Sequence, residues 1–165
     1  MTTAVAWVAL AVAVVNAFGA SFYMGLMLVL RFVLGTAFRS LDPHTLPVFF
    51  SQPIIGATRF LKRMFTVYFL CALALLWFGW PDPAATGFAA LCVLSYGYLA
   101  VWFIWKMQPV NDELISGTVT DPDELARKVD TWISLNRVRV VTTVIYWLAA
   151  MGFLVAAHDL WEILP

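Results

Sequence analysis

An arginine at the start of the last apolar run is the charge in this sequence best placed to do chemistry. Arg139 follows Asn136 by three residues and precedes Thr143 by four, so the three side chains share one face of a helix. An arginine at membrane depth points into the helix bundle, where it usually has a partner, or extends to the lipid headgroups as an anchor. The inward orientation would make Arg139 the cation of a polar pocket.

The candidate partners of Arg139 lie at the end of the third apolar run, in the stretch KMQPVNDELISG (106–117): they are Asn111, Asp112 and Glu113. The end of the third run and the start of the fourth meet at one membrane face, so contact is geometrically allowed. Pro109 predicts the end of the third helix, which would leave Asn111 to cap freed backbone groups. Two interpretations stay open: a plain helix terminus, or a polar pocket of Asn111 and Asn136 with Arg139 as its cation.

Composition indicates what must position these side chains. Of 165 residues, 62% are hydrophobic and 12% are charged, and the mean hydropathy is +0.85. Such a chain is a membrane protein, and its four apolar runs are long enough to cross a bilayer as helices. They lack the alternation of barrel strands. We expect an all-α membrane protein, a four-transmembrane-helix bundle in one domain (1–165), with spans at about 4–30, 61–80, 84–105 and 138–160.

The connections between the spans also carry signals. Residues 40–63 mix prolines with large apolar side chains, which predicts an interfacial segment after helix 1, lying in the membrane surface or folded against the bundle. Arg59, Lys62 and Arg63 would anchor its end. The short connection at 80–87 predicts a tight hairpin. Thr120 or Asp121 is a good N-cap, which predicts an amphipathic helix leading unbroken into helix 4.

The basic residues predict the orientation. All ten Lys and Arg lie between Arg31 and Arg63 or between Lys106 and Arg139. The positive-inside rule therefore places both of these connections in the cytoplasm and both termini on the other side. The first apolar run continues past its small residues, which favours a retained span over a cleaved signal. We expect a multi-pass protein of the bacterial plasma (inner) membrane, in contact with lipid. The net charge of zero gives no reason to expect a nucleic-acid partner.

The two polar stretches resemble a known family. MQPVNDEL (107–114), followed about twenty residues later by W-x-x-x-N-R-x-R (132–139), resembles the four-helix integral membrane family that includes the anthrone oxygenases. In that family a Pro-x-Asn after the third span pairs with a Trp, an Asn or His, and an Arg before the fourth. Carried over to this sequence, with the adjacent acid included, the ligand-binding candidates are Asn111, Asp112, Trp132, Asn136 and Arg139.

The resemblance implies cofactor-independent oxygenation of a membrane-partitioning aromatic or quinone-like molecule near the cytoplasmic interface. The protein would orient the substrate and stabilise its anion, with Asp112 and Glu113 as the identifiable bases. No metal is expected, since His44 and His158 fall at opposite membrane faces. Cys71 and Cys92 should lie at similar depth, as packing residues or as a redox pair. The alternative function is a non-enzymatic accessory or assembly subunit, whose partner would be another membrane protein or a second copy of this chain.

Overall fold

Four long helices make up the part of the chain that this computed structural model describes, residues 3–80, 82–157 and 161. They are α1 (Thr3–Arg39), α2 (Leu46–Gly79), α3 (Pro83–Ser116) and α4 (Pro122–Ala156). No strand occurs in these ranges, and each helix is long and apolar enough to cross a membrane. The predicted all-α, four-span fold is confirmed. The helices extend beyond the predicted spans except at the ends of α2 and α4, which stop at Gly79 and Ala156, and residues 158–160 of the last span lie outside the described ranges.

Aspartate side chains precede three of the helix starts: Asp42 before α2, Asp82 before α3 and Asp121 before α4. A helix leaves its first N–H groups without partners in the helix, and these carboxylates accept hydrogen bonds from N–H groups there. Asp121, for example, accepts a bond of 3.1 Å from the N–H of Glu124. The predicted amphipathic helix begins directly after it and runs unbroken into the last span.

Pro109 does not end the third helix, contrary to the prediction. The helix turns π-helical over Phe103–Met107 and continues as an α-helix over Gln108–Ser116. A proline lacks the N–H and presses on the preceding turn, and the wider hydrogen-bond spacing of a π-helical turn accommodates both effects. The helix ends at Gly117, whose φ of 66° is a left-handed conformation natural to glycine. Asn111 is therefore a helical residue, and it is buried.

The segment that follows α1 is the first part of α2. Phe50 and Ile54 are buried on its inner side, and the ring of Phe50 lies 5.5 Å from the ring of Trp132 in α4. Of the two predicted placements, the segment therefore takes the packed one. Its buried aromatic and aliphatic residues explain why a connection of this kind is not left in water.

The helices contribute to two compact units, each of which contains a section of all four. Unit 1 comprises Met1–Met24, Met64–Gly97 and Thr142–Pro165, and unit 2 comprises Gly25–Arg63 and Tyr98–Val141. All ten Lys and Arg residues belong to unit 2. The basic side chains that could take part in binding or catalysis are therefore all in unit 2.

Unit 1 is held by close helix approach and by buried interhelical hydrogen bonds. A Cβ added to Gly19 would lie 2.2 Å from a ring carbon of Tyr68, so the glycine lets α1 and α2 meet. The hydroxyl of Tyr146 donates to Oδ1 of Asn16 at 2.7 Å, and Nδ2 of Asn16 lies 3.9 Å from Sγ of Cys92. Small residues and polar contacts of this type are what hold transmembrane helices together.

A candidate ligand site in unit 2

A chain of hydrogen bonds in unit 2 links four of the five predicted site residues. Nε1–H of Trp132 donates to Oδ1 of Asn111 at 2.8 Å. Nδ2 of Asn136 donates to the backbone oxygen of Trp132 at 3.1 Å, and Nη1 of Arg139 donates to Oδ1 of Asn136 at 3.1 Å. All four residues are buried. The end of α3 and the first half of α4 therefore meet through the residues that the two sequence motifs contain.

The indole at the centre of this chain is fixed by two phenylalanines. Phe38 and Phe50 lie 4.9 Å apart, and their rings stand 5.7 and 5.5 Å from that of Trp132, both edge-to-face. Such pairs add about 0.5–1.5 kcal/mol to the effect of burial. The packing sets the direction of the indole N–H and so the orientation of Asn111. Neither phenylalanine is distinguished in the sequence, although Phe50 belongs to the apolar segment predicted to fold back.

Arg139 is a buried cation, as the inward orientation predicts, with 4% of its surface exposed. Within the described residues the ion pairs are Arg39–Asp130 and Lys128–Glu113. Arg139 belongs to neither, so the expected partnership with Asp112 or Glu113 is wrong, and among the described residues its side-chain hydrogen bond is to Asn136. The guanidinium carbon of Arg139 lies 5.7 Å from the ring centroid of Phe103, and its Nε has no hydrogen-bond partner among the described residues.

A cavity of about 330 Å³ opens beside this chain of hydrogen bonds. Its apolar walls are Ile54, Ile55, Ile115 and Phe103, and its polar lining includes Asn111, Asp112, Arg59 and Lys62. Sites for small molecules have volumes of about 300–1,000 Å³, with mostly apolar walls and a few converging polar groups. The cavity meets this description, and it brings Asp112, the fifth predicted residue, next to Asn111.

Arg59, Lys62 and Phe103 line the cavity but are not predicted from the sequence as site residues. The sequence predicts Arg59 and Lys62 as membrane anchors, although their spacing of three residues already places them on one helix face. Phe103 carries no signal, since it is one of 13 phenylalanines. Glu113, in contrast, is engaged by Lys128. Asp112 is therefore the carboxylate that remains as a candidate base.

Neither the two cysteines nor His44 lines this cavity. Cys71 and Cys92, both in unit 1, are free thiols. No three His, Cys, Asp or Glu side chains come together as metal ligands within the described ranges. His44 lies there, whereas His158 is outside them.

Comparison with known proteins does not identify a family for this chain. No family model, no curated protein and no solved structure matches the chain. The resemblance to the anthrone oxygenases therefore stays a prediction drawn from residues 107–114 and 132–139. The function has to be argued from the site.

Proposed function

We propose that this membrane protein binds a planar aromatic or quinone-like molecule that partitions into the bilayer, and that it holds this molecule in the unit 2 cavity. The observation that carries the proposal is the cavity of about 330 Å³, with walls of Ile54, Ile55 and Ile115 and one rigidly held amide, that of Asn111. Apolar walls favour a flat hydrophobic ligand, and a fixed polar group orients it.

Asn111 is the group best placed to bind an oxygen atom of the ligand. An indole N–H can only donate, so the amide oxygen of Asn111 must face Trp132. The amide NH₂ then points elsewhere and can donate to a carbonyl or phenolate oxygen in the cavity. Preorganised donors of this kind stabilise charge that develops on a substrate oxygen.

The resemblance to the anthrone oxygenases implies a reaction, the oxidation of a ring CH₂ by dioxygen. Asp112 removes one proton from the CH₂, and the negative charge spreads to the ring oxygen, where Asn111 stabilises it. The carbanion adds dioxygen, and the peroxide takes the proton back from Asp112. The hydroperoxide then loses water and leaves C=O. One dioxygen is consumed and one water is released for each CH₂ converted.

Binding is tested with the full chain in nanodiscs of phosphatidylcholine, with anthraquinone and anthrone as probes. Trp132→Phe keeps an aromatic ring but frees Asn111, and we expect about 10-fold weaker binding, the effect of losing roughly 1.4 kcal/mol. Trp147→Phe is the matched control, because this indole donates to Oγ of Ser21 at 3.0 Å in unit 1. Equal effects of the two changes, or no binding by the wild type, would contradict the proposal.

The reaction is tested by dioxygen consumption and by conversion of anthrone to anthraquinone. Asp112→Asn should abolish turnover while anthraquinone still binds, because the amide cannot accept the proton. Unchanged turnover in this variant would rule out Asp112 as the base. Stoichiometric co-purification of another membrane protein, with neither probe bound, would favour the accessory subunit instead.

We propose further that the basic connections of unit 2 face the cytoplasm of a bacterial plasma membrane and that both termini lie on the other side. The support is that all ten Lys and Arg residues fall within unit 2. A cysteine introduced at Ala84, with Cys71 and Cys92 changed to Ala, should react with an impermeant reagent added outside intact cells. Labelling only in inverted vesicles would refute this orientation.

A further inference from the structure

We infer that the ligand of the unit 2 cavity is an anion: a flat apolar body with one ionised group, a carboxylate or an acidic hydroxyl, that Arg59 and Lys62 hold. The inference rests on the proposed function, since it names the charge of the molecule in that same cavity. It also gives Arg59 and Lys62 a ligand-binding role, since membrane anchoring alone does not explain why they line a cavity.

The charge lining the cavity is the first observation. Arg59 and Lys62 reach it from one face of α2, and neither belongs to an ion pair within the described residues. Asp112 is the sole carboxylate among the described lining side chains. Both side chains are exposed, and an anion would make charge-assisted hydrogen bonds to them that a neutral ligand cannot make.

The second observation is a third cation, next to a residue that lines the cavity. Phe103 lines the cavity, and its ring centroid is 5.7 Å from the guanidinium carbon of Arg139. Arg139 is 4% exposed, has no carboxylate partner in the described part of the chain, and buries an Nε–H that has no acceptor. An unpaired buried charge is costly, and an anion in the cavity lowers this cost, because interior charges are weakly screened.

The walls decide what kind of anion fits. Ile54, Ile55, Ile115 and the ring of Phe103 offer apolar surface to the body of the ligand. An aromatic acid or an acidic hydroxyquinone has both the flat body and the charge. An anionic lipid headgroup shares the charge but has no flat ring to place against these walls.

The test compares two probes that differ only in charge, anthraquinone-2-carboxylate and anthraquinone-2-carboxamide. Their binding to the full chain in phosphatidylcholine nanodiscs at neutral pH is measured by tryptophan quenching, and partition into empty discs is subtracted. We expect the carboxylate to bind about 10-fold more tightly. Arg59→Gln and Lys62→Gln should each reduce that preference while carboxamide binding stays constant. Arg63→Gln is the matched control, an exposed arginine of α2 outside the cavity lining.

The outcomes separate the inference from the function beneath it. Equal affinity for the two probes overturns the anionic ligand and leaves the aromatic site standing, whereas no binding of either probe overturns the site itself. Equal losses for both probes in Arg59→Gln would mean that this arginine acts on the fold, which also overturns the inference. If discs that contain phosphatidylglycerol abolish the preference for the carboxylate, the cavity takes a lipid headgroup, and the assignment to an aromatic anion is wrong.

Discussion

Replacing Arg139 with methionine should leave the protein about as stable as the wild type while weakening the binding of an aromatic anion. The change keeps an unbranched side chain against the ring of Phe103 and removes the buried charge. Most substitutions of a fully buried residue destabilise a protein. This one is expected to differ because Arg139 has no carboxylate partner within the described residues.

The magnitude follows from the contacts. The variant loses the hydrogen bond to Asn136 and leaves its Oδ1 buried without a donor, at a cost of about 1–3 kcal/mol. It also loses the cation–π contact with Phe103, about 1–2 kcal/mol. Against this, it removes the desolvation of a buried guanidinium, several kcal/mol, and the unpartnered Nε–H. The opposing contributions nearly cancel, so the free energy of unfolding should change by no more than about 2 kcal/mol.

The assay is unfolding in mixed micelles, followed by tryptophan fluorescence and helical circular dichroism. Arg137→Met is the matched control, since Arg137 is exposed two residues earlier on the same helix. Adding Asn136→Leu to the Arg139→Met chain should recover about 1–3 kcal/mol, because the orphaned acceptor is then gone. A loss above about 4 kcal/mol in Arg139→Met alone would refute the reasoning, since it would show that the guanidinium stabilises the fold itself.

Three further predictions concern the scaffold. Gly19→Ala should cost about 1–3 kcal/mol by pushing Tyr68 from α1, whereas Gly97→Ala, where a Cβ meets nothing within 4 Å, should be neutral or stabilising in the same unfolding assay. Tyr146→Phe should lower the free energy of unfolding by about 0.5–2 kcal/mol, because it removes the hydroxyl that donates to Oδ1 of Asn16. An unchanged unfolding curve would contradict this. Asp42 accepts backbone hydrogen bonds from the two residues before α2, Thr45 first and then His44, and these lower its pKa below the usual 3.8. Its stabilisation of the start of α2 should therefore be present above that value and be lost as the pH falls through the lowered pKa. Amide exchange at 46–50 should be faster in Asp42→Ala than in wild type at about pH 6, and the difference should shrink as the pH falls below 3.8; a constant difference would refute the role of the charge.

The helices could be predicted from the sequence because a bilayer imposes a length on apolar runs. Their ends could not, because hydropathy says nothing about residues that continue a helix beyond the apolar core. Pro109 illustrates this limit. Its effect on the helix depends on whether the preceding turn is α-helical or π-helical, and here that turn is π-helical over Phe103–Met107.

The site could be predicted in part. Asn136 and Arg139 could be identified because polar groups at helical spacing are rare in so apolar a chain, and Asn111 because it lies at the end of the neighbouring run. Trp132 came only from the resemblance. The partner of Arg139 could not, because sequence proximity to acids does not determine which way a side chain turns. Arg59 and Lys62 could not be assigned to the cavity for another reason. A basic residue that anchors a helix and one that binds a ligand are of the same residue type and can occupy the same position along the chain.

The π-helical turn over Phe103–Met107 gives α3 one place where its length can change without moving the site. Such a turn contains one residue more than an α-helical turn, and one residue of an α-helix corresponds to about 100° of rotation. A single-codon deletion within the turn would leave an ordinary α-helical turn, so Asn111 would keep its direction toward Trp132. Deletion of Val110, in the α-helical part that follows, would instead rotate Asn111 by about that angle and break the hydrogen bond, with every residue of α4 unchanged.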